Sequence, residues 1–238
     1  MAKSPPFFKP MTLLFPVKKD SSTFQYITQI KQRTPLVPIK LALDLGGEYV
    51  SIDCQKHNYV SSTYRPVSCG SAQCLLANDK TCRSCTPQHP ISKPQECKPH
   101  ICLVNPYNPV AHIVISGAEL GQDIVSVQST NGSNPGGMVY VPNFLFSCAD
   151  TSFLEGLTNG VKGIAGLGKN KLGLPYQFAS DFNLSRKFSI CLSSSTTSYG
   201  VIFIGVLPNI FRPNNIDLSK FLTYTTLINF PPNMDDDF

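Results

Sequence analysis

Apolar and polar residues alternate over Thr23–Ile30 (TFQYITQI), the pattern of a half-exposed strand, and Met11–Val17 (MTLLFPV) is an apolar run of strand length. A third run, Pro35–Leu43 (PLVPIKLAL), ends on Asp44-Leu45-Gly46-Gly47, and Tyr49–Ile52 continues beyond it. An acid at the end of an apolar run, with paired glycines after it, predicts a carboxylate on a sharp turn leaving a buried strand. Over residues 55–109 the periodicity vanishes. That stretch is rich in cysteine, proline and serine and predicts an insert held by crosslinks instead of a core. Strand-like runs resume at Ala111–Ser116, Ile124–Ser129, Met138–Val141 and Asn143–Ser147, and Asn131–Gly137 (NGSNPGG) is the strongest hairpin signal. One helix is predicted, Leu174–Phe182, with Pro175 tolerated in its first turn. Phe188–Leu192 and Val201–Ile204 read as buried strands. The division is a flexible arm at 1–10, one all-β lobe at 11–230 and a disordered acidic tail at 231–238, with Asp235–Asp237 a solvated charge run.

Composition narrows the function classes. Charged residues are 15% of the 238, against 20 prolines and 16 glycines, which suits short strands and many loops. The net charge of +5 is scattered, densest at Lys18-Lys19, Arg186-Lys187 and Lys162 with Lys169 and Lys171. No aromatic-interleaved basic stripe points to nucleic acid, and the surface reads as one facing an acidic partner or polysaccharide. No apolar run is long enough to span a membrane, and Met1–Pro6 has no apolar signal-peptide region. Nine cysteines are present: Cys54, Cys69, Cys74, Cys82, Cys85, Cys97, Cys102, Cys148 and Cys191. Their density predicts disulfides and an oxidising compartment, hence a secreted protein whose leader lies outside the recorded start. Asn131 and Asn183 head glycosylation sequons. Cys82-x2-Cys85 with Cys97-x4-Cys102 has the spacing of a tetrahedral zinc site. A disulfide cluster is the preferred reading, because zinc leaves Cys69 and Cys74 unexplained, and no metal is expected.

The order of motifs carries a resemblance. Asp44-Leu45-Gly46-Gly47, Asp53-Cys54, the cysteine-rich insert, Pro142–Cys148 (PNFLFSC), Gly163–Gly168 (GIAGLG), Leu174–Phe178 (LPYQF) and Phe188–Leu192 (FSICL) follow in sequence. Over residues 7–230 the chain resembles the plant branch of the pepsin-like aspartic peptidases, in its basic 7S globulin, extracellular dermal glycoprotein and glycosidase-inhibitor subgroup. The resemblance implies a pepsin-like N-terminal lobe, half of a two-lobed secreted fold, with Asp44 at the catalytic position. It also implies that Cys191, the candidate for the odd cysteine, has its partner in the other lobe. Cys54 with Cys148 is a plausible long-range pair. The departures matter. Leu45 and Gly47 stand where the family's Asp-Thr-Gly-Ser motif has hydroxyls. The expected flap, Ala111–Gly117, lacks a tyrosine, with Tyr107 too early to serve. Asp150, Asp181 and Asp217 head no second aspartate turn. Pepsin-type chemistry needs two carboxylates sharing one proton.

The resulting expectation is a secreted, extracellular pepsin-fold protein, non-proteolytic and without cofactor. It resembles plant inhibitors of microbial cell-wall glycosidases such as xylanase and xyloglucan endoglucanase. An aspartic endopeptidase built from two copies through Asp44 is the rival, and a storage or wall glycoprotein is the third class. His57, His89, His100 and His112 read as loop histidines, the Gly163–Gly168 glycines lack dinucleotide spacing, and Ser193–Ser195 reads as a turn. A lone lobe is expected to expose apolar surface along Leu13–Val17 and Val201–Ile204, and so to need a second lobe or self-association.

Overall fold

Alternation turns Leu13, Phe15 and Val17 to one buried face of strand β1 (Thr12–Lys19), with Pro16 and Lys18 on the other. Strands β2 (Tyr26–Gln32) and β3 (Val37–Asp44) repeat the pattern with Ile30, Ile39 and Leu41 inside. The computed structural model of the chain describes residues 10–55, 59–78, 80–82, 100–131, 134–205, 210–211, 216–217, 223 and 225. The arm before residue 10 and the acidic tail at 231–238 lie outside the described residues.

The further elements are β4 (Val50–Asp53), β5 (Arg65–Pro66), β6 (Thr81–Cys82), β7 (Cys102–Val104), β8 (Tyr107–Asn108), β9 (Ile113–Val114), β10 (Ala118–Thr130), β11 (Pro135–Ala149), β12 (Gly163–Gly166), helix α1 (Leu174–Phe182), β13 (Phe188–Cys191) and β14 (Tyr199–Gly205). Twelve strands form one sheet in the order β13-β14-β1-β2-β3-β12-β4-β11-β10-β7-β6, with β5 on β10. Because β1 and β2 also pair with β10, the sheet folds back on itself around its core. The pair β8–β9 stands apart as a hairpin, and β15 (Ile210–Phe211) pairs β16 (Ile216–Asp217). The all-β expectation is met, with α1 at the predicted bounds. The runs predicted separately at Met138–Val141 and Asn143–Ser147 belong to one strand, β11. Its register on β10 shifts opposite Ile124, which places Pro142 at an irregularity where its missing N–H costs no ladder bond. The predicted strand Ala111–Ser116 shrinks to Ile113–Val114.

Two further expectations are overturned. Leu13, Phe15, Val17, Ile202 and Ile204 are all at most 1% exposed, so β1 and β14 do not present an apolar face to solvent. The reason is α1, whose Phe178 packs edge-on against Phe15 and beside Phe144. Gln177 fastens this helix to the sheet: its side chain donates to the carbonyls of Leu145 and Leu172 and accepts from the N–H of Leu145. Nor is the cysteine-rich insert without a core. Val67, Cys74, Ala77, Cys102 and Val104 pack with Tyr49, Leu120, Leu145 and Leu172 in a second apolar cluster.

Strand β10 carries a buried carboxylate. Asp123 Oδ2 accepts from Tyr59 Oη at 2.8 Å, and Oδ1 accepts from Thr63 Oγ1 at 2.5 Å and the Ile124 N–H at 2.8 Å. The Arg33 guanidinium lies 4.2 Å from the centre of the Tyr59 ring. Burial first, and then the bond to Asp123, push the Tyr59 hydroxyl's pKa upward from 10.0. The folded state therefore keeps a proton that the unfolded chain releases above about pH 10, and stability falls as pH rises past that point, by up to about 1.4 kcal/mol per pH unit. Tyr59→Phe is expected to remove that increment of alkaline slope in urea titrations at pH 9 and 11. At neutral pH it should cost about 1–3 kcal/mol, because Asp123 loses a donor. An unchanged alkaline slope would contradict the assignment.

Candidate functional site at the aspartate turn

Strand β3 delivers Asp44 to the end of its run, and β12 locks the turn that follows. β12 lies parallel to β3, with Gly166 beside Asp44, and antiparallel to β4, with Ile164 beside Ser51. Three backbone bonds tie the two motifs: Leu167 N–H to Asp44 O at 2.8 Å, Gly166 N–H to Tyr49 O at 3.0 Å, and Gly168 N–H to Gly47 O at 3.0 Å. Gly166 has no room for a side chain, since a Cβ would sit 2.3 Å from Tyr49 O and 2.4 Å from Gly47 O.

The Asp44 carboxylate is half-buried, and Oδ1 accepts the Gly46 N–H at 3.0 Å. Leu45 is 60% exposed and supplies no hydroxyl. Gly47 supplies none either, and a Cβ there would fall 2.7 Å from Asp44 Oδ2 and 2.9 Å from Gly166 Cα. The turn is thus packed around glycine at the position where the motif would carry serine. Beside it opens a cavity of about 460 Å³, lined by Asp44, Gly47, Ser51, Asn78, Asn105 and Tyr107 among others. Glu48 reaches the same cavity, and its Oε2 accepts from Asn170 Nδ2 at 3.0 Å.

Tyr107 corrects the reading of the flap. The hairpin begins at β8, earlier than Ala111, and puts Tyr107 into the wall of the Asp44 cavity. Its hydroxyl shares a 2.8 Å hydrogen bond with His112 Nδ1 across the hairpin. Asn108 anchors that hairpin. It is fully buried, donates to the carbonyls of Phe153 and Glu155, and accepts from the N–H groups of Val110 and Ala111. Two-residue strands leave no periodicity to read, so Tyr107, Asn108 and Asn105 carried no positional signal. The one clue was Asn-Pro on both sides of Tyr107 (NPYNP), which marks turns.

The other candidates fall elsewhere. Asp150 caps the short 3-10 turn Thr151–Leu154 by accepting the Ser152 N–H, and Asp181 is an exposed residue of α1. Asp217 lies on β16. Among the described residues none joins Asp44. Cys54 is bonded to Cys148, Cys69 to Cys82 and Cys74 to Cys102. Cys82 and Cys102, two of the four zinc-spaced cysteines, are each paired outside that set, with Cys69 and Cys74. Cys85, Cys97, His57 and His89 lie outside the described residues. Cys191 is a free, exposed thiol on the edge strand β13. His100 and His112 both occupy turns with positive φ. Asn183 is exposed at the left-handed cap of α1, and Asn131 opens the β10–β11 turn with its Oδ1 accepting the Asn134 N–H. No described helix is long and apolar enough to cross a membrane.

What the arrangement offers chemically is one aspartate carboxylate, held by a backbone N–H, in an open polar cavity with a tyrosine and asparagines, where the second carboxylate, that of Glu48, is engaged by Asn170. A two-carboxylate dyad is not formed by the described residues. The family model described as Xylanase inhibitor N-terminal matches residues 26–206. Probable aspartic proteinase GIP2 of Nicotiana benthamiana is 48% identical over 228 residues, covering 95% of this chain and 50% of that protein. The crystal structure of edgp is 50% identical with a TM-score of 0.81, covering 89% of this chain and 50% of that one. That of conglutin gamma, a basic 7S globulin from lupine seeds, is 41% identical with a TM-score of 0.76, covering 88% and 52%. The chain spans about half the length of the relatives it matches.

Proposed function

Since the chain belongs to the xylanase inhibitor N-terminal family of pepsin-fold proteins, we propose that it is a secreted, non-proteolytic binding protein whose partners are microbial cell-wall glycosidases. The observation that carries the non-proteolytic half is the aspartate turn itself. Asp44 has no hydroxyl from residue 45 or 47, and glycine is packed against its Oδ2. Proton sharing between two carboxylates, the basis of aspartic protease chemistry, has only one suitable turn to work with among the described residues. The partner half is supported by the family's description as xylanase inhibitors. Secretion is supported by three disulfides among the described residues, which persist in oxidising compartments. Recognition would be by surface complementarity, with no cofactor, and the length the relatives have beyond this chain would contribute part of that surface.

The test pairs two assays. Cleavage of a denatured protein between about pH 3 and 6, where a carboxylate pair would share its proton, is expected to be absent and unchanged by Asp44→Asn. A panel of secreted microbial xylanases and glucanases is expected to include at least one whose hydrolysis this chain slows. Acid cleavage lost on Asp44→Asn would instead establish an endopeptidase assembled from two copies. A storage role without an enzyme partner is the second reading, favoured by the likeness to the lupine seed globulin. Failure to slow any glycosidase in the panel would leave that reading in place of the first.

A further inference from the structure

On the opposite side of β1, β2 and β3 from the core, alternation collects lysines. Lys18 of β1, Gln29 and Lys31 of β2 and Lys40 of β3 are all exposed, with Gln29 paired to Lys40 across the ladder. A groove of about 440 Å³ runs over this face, lined by Lys18, Lys19, Gln29, Lys40, Asn159 and Tyr199 among others. From the strand register, Lys18 and Lys40 have Cα atoms roughly 12 Å apart, two strands across and two residues along.

The groove carries a net positive charge: Lys18, Lys19 and Lys40 stand against the single carboxylate of Asp20, whose Oδ1 accepts from the N–H groups of Thr23 and Ser22 and from Thr23 Oγ1, bonds that hold its carboxyl below the usual range. Lys19 is also engaged, over the rings of Phe24 and Tyr26 and near Ser194 O. Lys18 and Lys40 form no ion pair with any described carboxylate. Directly across from Lys18 on β14 stands Tyr199, 70% exposed, a large ring presented to water beside a free ammonium.

We propose that this groove binds an acidic polysaccharide, a chain of uronate sugars, independently of any partner at the Asp44 cavity. Lys18 and Lys40 take carboxylates two or more sugars apart, Tyr199 stacks against a sugar face, and Gln29, Asn159 and the hydroxyl of Thr196 meet ring hydroxyls. The lining favours a carbohydrate over an acidic protein. A protein interface needs a desolvated apolar centre, and here only Ile27 and Pro16 are apolar while the rest are ammonium, amide, carboxylate, hydroxyl and one exposed phenol. A hydrated ligand bearing hydroxyls and carboxylates matches these donors without requiring that they be dried.

The experiment is isothermal titration of the chain with oligogalacturonate, a neutral xylo-oligosaccharide and polyaspartate at low salt. The expected result is binding to the uronate oligomer and none to the neutral one. Lys18→Gln with Lys40→Gln should weaken uronate binding about tenfold or more, the loss of two charge-assisted contacts. Tyr199→Ala should weaken it several-fold while leaving any polyaspartate binding unchanged. These positions are exposed, so an unaltered melting temperature checks that the variants fold. Absence of uronate binding, or uronate binding indifferent to the lysine pair, would overturn the proposal. So would polyaspartate binding as tight as uronate with no effect of Tyr199→Ala, which would assign the groove to an acidic protein segment.

Discussion

Gly166→Ala is expected to leave little folded protein at 25 °C. A Cβ at this position would lie 2.3 Å from Tyr49 O and 2.4 Å from Gly47 O, and both atoms are backbone. Neither can swing aside as a side-chain tip would. Gly166 N–H is bonded to Tyr49 O, and Gly47 O accepts from Gly168, so retreat of either carbonyl breaks the ladder that fixes the turn. Overpacking typically costs 1–3 kcal/mol when side chains can yield; with immovable backbone on two sides the cost is about 4 kcal/mol or more. That is most of the stability of a marginal domain. Gly137→Ala is the control, since nothing lies within 4 Å of its Cβ position. It should be neutral to within about 0.5 kcal/mol. Urea unfolding of both variants, or soluble yield where Gly166→Ala cannot be purified, gives the comparison. Equal stability of the two would refute the packing argument.

The second large effect is expected on removing the Cys54–Cys148 bond by Cys54→Ala with Cys148→Ala. This disulfide closes a loop with a sequence separation of 94, against 13 for Cys69–Cys82 and 28 for Cys74–Cys102. In the chain-entropy account a loop of that length is worth roughly 4–5 kcal/mol, more than either of the others. Both sulfurs also pack against the main core, where β4 and β11 run parallel, so truncation leaves unfilled space as well. Thermal unfolding of the three double-alanine variants should rank this pair as the costliest. A loss below about 1 kcal/mol would mean that β4 and β11 are held by their ladder and the apolar contacts alone.

Much of this architecture is readable from the residues because local signals and burial agree. Helix α1 is marked by Pro175 at its start and by Asn183 in the left-handed cap, and β1, β13 and β14 are apolar runs of strand length. Asp44 is legible because an acid rarely closes an apolar run. The failures have a common cause: tertiary neighbours decided the conformation. β12 is half glycine and gives no strand signal of its own, yet it is a strand because backbone approaches it from both flanks. Val67, Cys74, Cys102 and Val104 follow no period, so the second core is visible only once Leu120, Leu145 and Leu172 are brought against them. Tyr107 was discounted on its distance along the chain from Ala111–Gly117. The hairpin starts earlier because Asn108 binds the backbone of Phe153 and Glu155, a contact no local pattern encodes.

The parallel insertion of β12 between β3 and β4 sets an order of events during synthesis. Ile164 must slot beside Ala42, and Gly166 beside Asp44, long after those partners have left the ribosome. At translation rates of ~5–20 residues per second, β3 and β4 wait on the order of ten seconds for the strand that separates them. They cannot pair with each other in the interim without occupying the gap that β12 needs. The carboxylate turn is therefore a late product of folding, closed by distant contacts that pay their loop entropy first and make such topologies slow.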